Sequence, residues 1–460
     1  MAKIFTFTSP AAGHLYPIAP VLVELVKRGH EVTVMTLPGS GRALIPLGIT
    51  IRDLPPALAE DTLGDSGARS SVEALRAASR ALVARIPEEI AALSNAVAAE
   101  RPDALLVDIT TLGGQTYAAA GGLPWASWAP MLLPIPSRGV PPFGPGLNPK
   151  SGPLGRIRDS ILQRLIAHYW DDPLPQFNRM RQQQGLPTLE HTLDYMLDPP
   201  LLLNFTSPPF DDIRRDWPAS VRQIGPGLWA PDAEPPAWLD EIDRPLALVT
   251  CSTEFQDDGL LAQAAMDALA DSDFYTVVTA GAIDPSTFTI PPNARVESFL
   301  PHHLLLPRTA VVVSHGGMGI TQKALAAGVP VCVVPFGRDQ SEVARRVVTS
   351  EAGTRVSKKK LSPDRLRTAI EQARACRAGA ARVATGFATA GGPLYGADLL
   401  EQHLFAASDR RPSPSGPSTV RIRSSISTPP TITPERTPPT ITPERSSASD
   451  APEAVTTTDS

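Results

Sequence analysis

The segment Ser314 to Gly328, SHGGMGITQKALAAG, concentrates the residue types most able to hold a charged ligand in this chain. It lies between an apolar β-type run, AVVVS, and a helical stretch. Gly316, Gly317 and Gly319 let the backbone approach a ligand closely, and a helix starting there aims unpaired N–H groups and a positive dipole end at it. His315 adds a hydrogen-bond donor, and the combination suits a diphosphate. The same glycines would also serve a tight strand-to-helix turn with no ligand. A nicotinamide dinucleotide site fits less well, because the spacing GGxG departs from GxGxxG and no Gly-rich turn follows the first strand. A Walker A loop is excluded, since no GK[ST] follows a glycine-rich run.

Two further candidates lie in the first half of the chain. His14 sits in a loop after the first strand and Asp108 at the end of a later one. A histidine there is often structural and a strand-end carboxylate often a cap. Both, however, fall beyond the carboxyl ends of strands, where open parallel sheets bind ligands.

The elements that must position these residues follow a βα rhythm. Lys3 to Ser9 is β-rich, Ile18, Val21, Leu22, Leu25 and Val26 mark one helical face ended by Gly29, and Glu31 to Thr36 begins a second strand. This is a βαβ unit of a parallel sheet. A long helical region interrupted by Pro87 follows, then strands at Ala104 to Val107 and Trp125 to Trp128. Residues 131 to 155 are dense in Pro and Gly, and Ile161 to Met180 reads as helix. A second series begins at Leu246 and continues through Tyr275 to Thr279, Ala294 to Glu297, Ala310 to Ser314 and Val331 to Val334. The expected fold class is α/β, two Rossmann-like domains with parallel sheets.

Composition narrows the partners. The 42 Lys plus Arg against 47 Asp plus Glu leave a net charge of −5, too balanced for a surface that tracks phosphates, so nucleic acid is not an expected partner. Cys251, Cys332 and Cys376 form neither a disulfide framework nor a metal-type spacing. The N-terminus reads as a strand and not a signal peptide, and no stretch approaches the length of a transmembrane segment, so a soluble, cytoplasmic protein is expected. From about Asp409 the composition shifts to Ser, Thr, Pro and Arg, and TPPTITPER occurs at Thr428 to Arg436 and again at Thr437 to Arg445. Such a segment lacks the apolar surface to fold, and disorder is expected.

With those motifs in place, a resemblance becomes specific. HGGMGITQKALAAGVPVCVVPFGRDQSEVARRV, from His315 to Val347, resembles the donor-binding signature of family 1 glycosyltransferases. SFLPHHLLLP is similar to the family's W-x-P-Q stretch, its first aromatic Phe299 lying sixteen residues before His315. Pro10 to Val32 resembles the N-terminal GHxxP motif, Pro102 to Asp108 the strand ending in an orienting aspartate, and Leu248 to Phe255 the first C-terminal strand and loop. The resemblance covers roughly residues 1 to 405. It implies a GT-B fold: an N-terminal acceptor-binding domain at 1–210, a linker at 211–243, a nucleotide-sugar-binding domain at 244–389, a helix at 390–406 returning to the N-terminal domain, and the disordered tail at 407–460.

It also implies roles. His14 is the general base for the acceptor hydroxyl and Asp108 its orienting partner, with inversion at the anomeric carbon by direct displacement. Phe299 lies against the nucleobase and the backbone at Leu300 bonds its edge. Ser252, Thr253, His315, Gly316, Gly317, Gly319 and Thr321 surround the diphosphate, while Asp339 and Gln340 hold sugar hydroxyls. The implied partners are a nucleotide-sugar donor, as co-substrate with no cofactor and no metal, and a small apolar hydroxylated acceptor. A uridine-using member has a ribose-binding glutamate where this chain has Lys323, which cannot accept a hydrogen bond. A thymidine diphosphate deoxysugar, a Lys323 contact to phosphate, and weak donor binding are the competing explanations. Phe299 and His302 replace the usual tryptophan and glutamine.

The acceptor pocket is expected from loops 60–70 and Pro130 to Pro149 and from the helices near Ile161 to Met196, with Trp125, Trp128, Met131, Phe143, Tyr169 and Trp170 as apolar surface. Core packing accounts for most of these equally well. A catalytically silent binding or helper protein and a sugar-nucleotide epimerase on the same fold are the alternative functions.

Overall fold

The computed structural model describes residues 1–60, 71–252 and 258–405. Among these, two parallel sheets carry the architecture. The first has seven strands: β1 (Lys3–Phe7), β2 (Glu31–Thr36), β3 (Thr50–Asp53), β4 (Ala104–Asp108), β5 (Trp125–Ala129), β6 (Leu202–Asn204) and β7 (Val221–Gln223), in the order β3-β2-β1-β4-β5-β6-β7. The second has six: β8 (Leu246–Thr250), β9 (Tyr275–Thr279), β10 (Ala294–Glu297), β11 (Thr309–Ser314), β12 (Val331–Val333) and β13 (Gly353–Arg355), in the order β10-β9-β8-β11-β12-β13.

Sequence patterning explains why these sheets are covered on both faces. In β4, Ala104 and Leu106 enter one core with the Ala12–Lys27 helix, whereas Leu105 and Val107 enter another with the Ile86–Glu100 helix. In β8, Leu246 and Leu248 face one core and Ala247 and Val249 the opposite one. Side chains alternate with period two, so a continuous apolar run supplies both faces at once.

Four strands were not anticipated from sequence: Thr50–Asp53, Leu202–Asn204, Val221–Gln223 and Gly353–Arg355. Each is only three or four residues long and lies toward a sheet edge, leaving too few residues for a periodic signal. Val221–Gln223 pairs with β6, so the segment expected to be linker carries the outermost strand of the first sheet. Trp229 of the same segment stacks on Tyr16 with ring centroids 5.0 Å apart. The expected helix Ile161 to Met180 is two helices, Pro153–Trp170 and Leu174–Gln183.

The Gly392–Phe405 helix packs on the Ala12–Lys27 helix. Leu400 and Leu404 are buried with Leu15, Ile18 and Leu22, while Leu399 packs at the margin. Arg28 reaches Asp398 and Glu401, both at 2.7 Å, and His30 reaches Glu401 at 2.9 Å. The Gly392–Phe405 helix is thereby fastened to the Ala12–Lys27 helix. The tail after Phe405 and the loop 61–70 lie outside the described residues. The three cysteines are unpaired, and no helix among the described residues is long and apolar enough to cross a membrane.

Candidate active site

Strand order places the candidate residues. In the first sheet the order reverses between β1 and β4, and in the second between β8 and β11. At such switch points the connections depart to opposite faces and leave a crevice beyond the strand ends. Ser9 and His14 follow β1 and Asp108 ends β4; Ser252 follows β8 and His315 follows β11.

His14 is not on a loop as expected but in the first turn of the Ala12–Lys27 helix. Its Nδ1 lies 2.9 Å from Asp108 Oδ2 and 3.1 Å from Oδ1. Asp108 is fully buried and also accepts from the amide of Ser9 at 3.1 Å and from the amide and hydroxyl of Thr110, both at 2.9 Å. Burial by itself would raise its pKa, but His14 and these amides outweigh it and hold the carboxyl below its ordinary range. An ionised Asp108 takes the Nδ1 proton as acceptor, which leaves the lone pair of a neutral imidazole on Nε2. Trp128, expected to face an acceptor, instead fixes the helix start by donating its indole N–H to the His14 carbonyl at 3.2 Å. Trp128 and Trp125 are core residues on opposite faces of β5, and both leave the acceptor surface for that reason. Tyr169 stacks under the Arg76 guanidinium, 4.8 Å from the ring centre, and Phe143 packs against the core of the second half.

At the second switch point, β11 ends at Ser314 and a left-handed Gly316, φ 97°, turns the chain into the Met318–Ala326 helix. A Cβ at Gly317 would lie 2.7 Å from His315 Nε2, whereas one at Gly319 would meet nothing within 4 Å. The turn is therefore closed by the imidazole beneath it and open above Gly319. Burial lowers the pKa of His315 despite Asp258, whose Oδ2 lies 3.3 Å from Nδ1. Asp258 also accepts the Ser252 amide at 2.6 Å, joining the β8 and β11 loops. This aspartate was missed because an Asp before a helix reads as a cap, while here its side chain turns back toward the loop.

The remaining donor-side candidates divide. Phe299 is 69% exposed, available as a stacking face, and Leu300 is half-buried against the core. Asp339 precedes the Gln340–Thr349 helix, and burial raises its pKa. Gln340 is buried, its Oε1 accepting the amides of Phe336 at 2.7 Å and Gly337 at 3.0 Å. Thr321 is fully enclosed on the inward face of its helix and is not presented to a ligand. Thr253 lies outside the described residues. Lys323 is half-buried, and its helix packs on the short His302–Leu305 helix. Burial, with the Lys323 charge nearby, lowers the His302 pKa to about 4. Gln322 donates to the Phe205 carbonyl at 2.7 Å, resting the helix that follows the glycine turn on the first half of the molecule just after β6. Among the described residues no group of three or more His, Cys, Asp or Glu side chains converges as a metal site.

Comparison with known proteins decides the family. Residues 263–400 match the erythromycin biosynthesis protein CIII-like C-terminal domain. The chain is 32% identical over 422 residues to 4'-demethylrebeccamycin synthase of Lentzea aerocolonigenes, covering 87% of this chain and 99% of that protein. The chain belongs to the family 1 natural-product glycosyltransferases. The fold of this glycosyltransferase is that of the calicheamicin glycosyltransferase CalG4, with TM-score 0.67, 22% identity and coverage of 90% of this chain and 100% of that one. It is also that of the glycosyltransferase VinC in complex with dTDP, with TM-score 0.64, 21% identity and coverage of 89% and 100%. GT-B is thus the fold of the glycosyltransferase, as expected.

Proposed function

We propose that this glycosyltransferase is inverting and metal-independent, transferring a hexose or deoxyhexose from a UDP- or dTDP-sugar to a hydroxyl of a small apolar acceptor such as a polyketide, macrolide or aromatic natural product. The observation carrying this reading is the His14–Asp108 pair, an imidazole whose tautomer is set by a buried ionised carboxylate. His14 Nε2 takes the acceptor hydroxyl proton as the oxygen attacks the anomeric carbon, and the bond from that carbon to the diphosphate oxygen breaks. Asp108 stabilises the imidazolium as it forms. One displacement from the face opposite the leaving group inverts the centre.

Charge gathering on the leaving diphosphate is met by the amides of Gly317 and Met318, the Gly316 amide donating to the Ser314 hydroxyl at 3.2 Å, and by the dipole of the Met318–Ala326 helix. Phe299, exposed, offers a π-face for the base, and Asp339 and Gln340 are taken as the partners of sugar hydroxyls on the strength of the motif they belong to. VinC, which shares the fold, was solved with dTDP, and that supports a thymidine donor.

Purified protein incubated with UDP- and dTDP-sugars and pooled phenolic and macrolide acceptors should give a β-glycoside from an α-linked donor without added divalent ion. A product of retained configuration, or transfer abolished by EDTA and restored by metal, would refute the respective part.

A further inference from the structure

The Pro/Gly-rich stretch 141–149 belongs to the first half of the chain, yet its position is set by the second. Glu342, in the first turn of the Gln340–Thr349 helix, accepts the amide of Gly144 at 2.9 Å and that of Gly146 at 2.8 Å on the same oxygen, Oε1. Its other oxygen is held by Arg346 at 2.8 Å. Arg355, at the end of β13, donates to the Gly146 carbonyl at 3.1 Å. Only glycine fits at 146: φ is 62°, and a Cβ would lie 2.2 Å from the Ser341 carbonyl oxygen.

Behind this clasp lies a buried ionic group. Arg346 bonds Asp211 at 2.7 Å, Arg345 bonds Asp212 at 3.1 Å, and Arg214 lies within 3.9 Å of both aspartates. With Glu342, three carboxylates balance three guanidinium groups. Burying such charges is costly unless every partner keeps its place, so the Glu342 carboxylate has little freedom to reorient.

The same helix touches the glycine turn. A Cβ at Gly316 would come within 3.3 Å of both the Cβ and the carbonyl oxygen of Gln340. The turn therefore lies close against Gln340, the residue that opens the helix carrying Glu342. Gln340 and Glu342 lie in the same turn of one short helix, so a shift passed to Gln340 would also move the carboxylate that holds Gly144 and Gly146.

We propose that Glu342 is a positioning residue that couples occupancy of the Gly316–Met318 turn to the Gly144–Gly146 loop, so that donor binding tightens the hold on a loop expected on the acceptor side. This rests on the reading of the turn as the diphosphate site. Reciprocity requires that loosening the loop weaken the nucleotide by the same factor.

The experiment measures UDP and dTDP binding by calorimetry and amide exchange of residues 141–149 with and without the nucleotide that binds. In the native chain, nucleotide should slow exchange at Gly144 and Gly146 about tenfold. Gly146→Ala should abolish that difference and weaken nucleotide affinity by the same factor. Gly139→Ala, at an equally left-handed glycine with open space around it, should keep both. Exchange that ignores nucleotide in the native chain, or protection that survives Gly146→Ala, overturns the coupling while leaving the diphosphate site standing. Failure of both nucleotides to bind overturns the diphosphate reading and the coupling together.

Discussion

His14 Nδ1 lies 2.9 Å from Asp108 Oδ2 although 94 residues separate them in the chain. The contact exists because β1 and β4 are neighbours in the sheet, so the helix after one and the carboxyl end of the other share a crevice.

Replacing His14 by Ala should lower turnover by about a hundred- to ten-thousand-fold, the usual range for a general base, with nucleotide binding unchanged in calorimetry. Near-normal turnover would remove His14 from the mechanism. Asp108→Asn should lower turnover by a similar or smaller factor. Because the folded Asp108 pKa lies below its unfolded value, its stabilisation is present above the unfolded pKa and is lost as pH falls through the folded one. The Asn variant should therefore melt lower at neutral pH and lose less stability on acidification.

Lys323 should govern donor choice. Its partial burial beside His302 argues against a side chain projecting freely into water. A ribose 2′-hydroxyl desolvated there without an acceptor costs roughly 1 to 3 kcal/mol, a cost that a 2′-deoxyribose avoids. The native protein should prefer a dTDP-sugar over the UDP-sugar with the same hexose, and Lys323→Glu should narrow or reverse that preference. Equal kcat/KM for the two donors, unmoved by the substitution, would end the idea.

Glu89 should be neutral at pH 7. Its carboxyl accepts the Gly113 amide at 2.7 Å, but burial pushes its pKa up to about 8 despite Arg85 at 3.6 Å. The folded state then binds more protons than the unfolded one between the ordinary carboxylate value and about 8, so stability declines as pH rises through that window. Glu89→Gln should flatten this decline and raise stability at pH 8 by roughly 1 to 3 kcal/mol in urea titrations. A variant with the native slope would contradict the assignment.

Leu400→Ala should destabilise the protein by about 2 to 5 kcal/mol, since Leu400 is fully buried between the Gly392–Phe405 and Ala12–Lys27 helices. Arg28→Ala, which removes partly exposed ion pairs with Asp398 and Glu401, should change the melting temperature far less. The reverse ranking would mean that charge and not apolar packing fastens the Gly392–Phe405 helix.

The sequence by itself determined the two βα series, the glycine turn after AVVVS and the pairing of His14 with Asp108 through family resemblance. The βα series and the glycine turn are local, carried by period-two and helical apolar patterns and by glycines at a strand-to-helix turn, whereas the His14–Asp108 pairing was legible only through the motifs of the resemblance. What only the tertiary structure decided depends on which distant segments meet. Trp125 and Trp128 became core because strand direction sends them to the two faces of β5, and Thr321 turned inward because its place on the helix faces the core. Asp258 and Glu342 carry no signal of their own in the chain. Their roles arise when folding brings Ser252 and His315, or Gly144 and Gly146, within hydrogen-bond reach, and burial then makes each of those polar contacts one that cannot be left unmade.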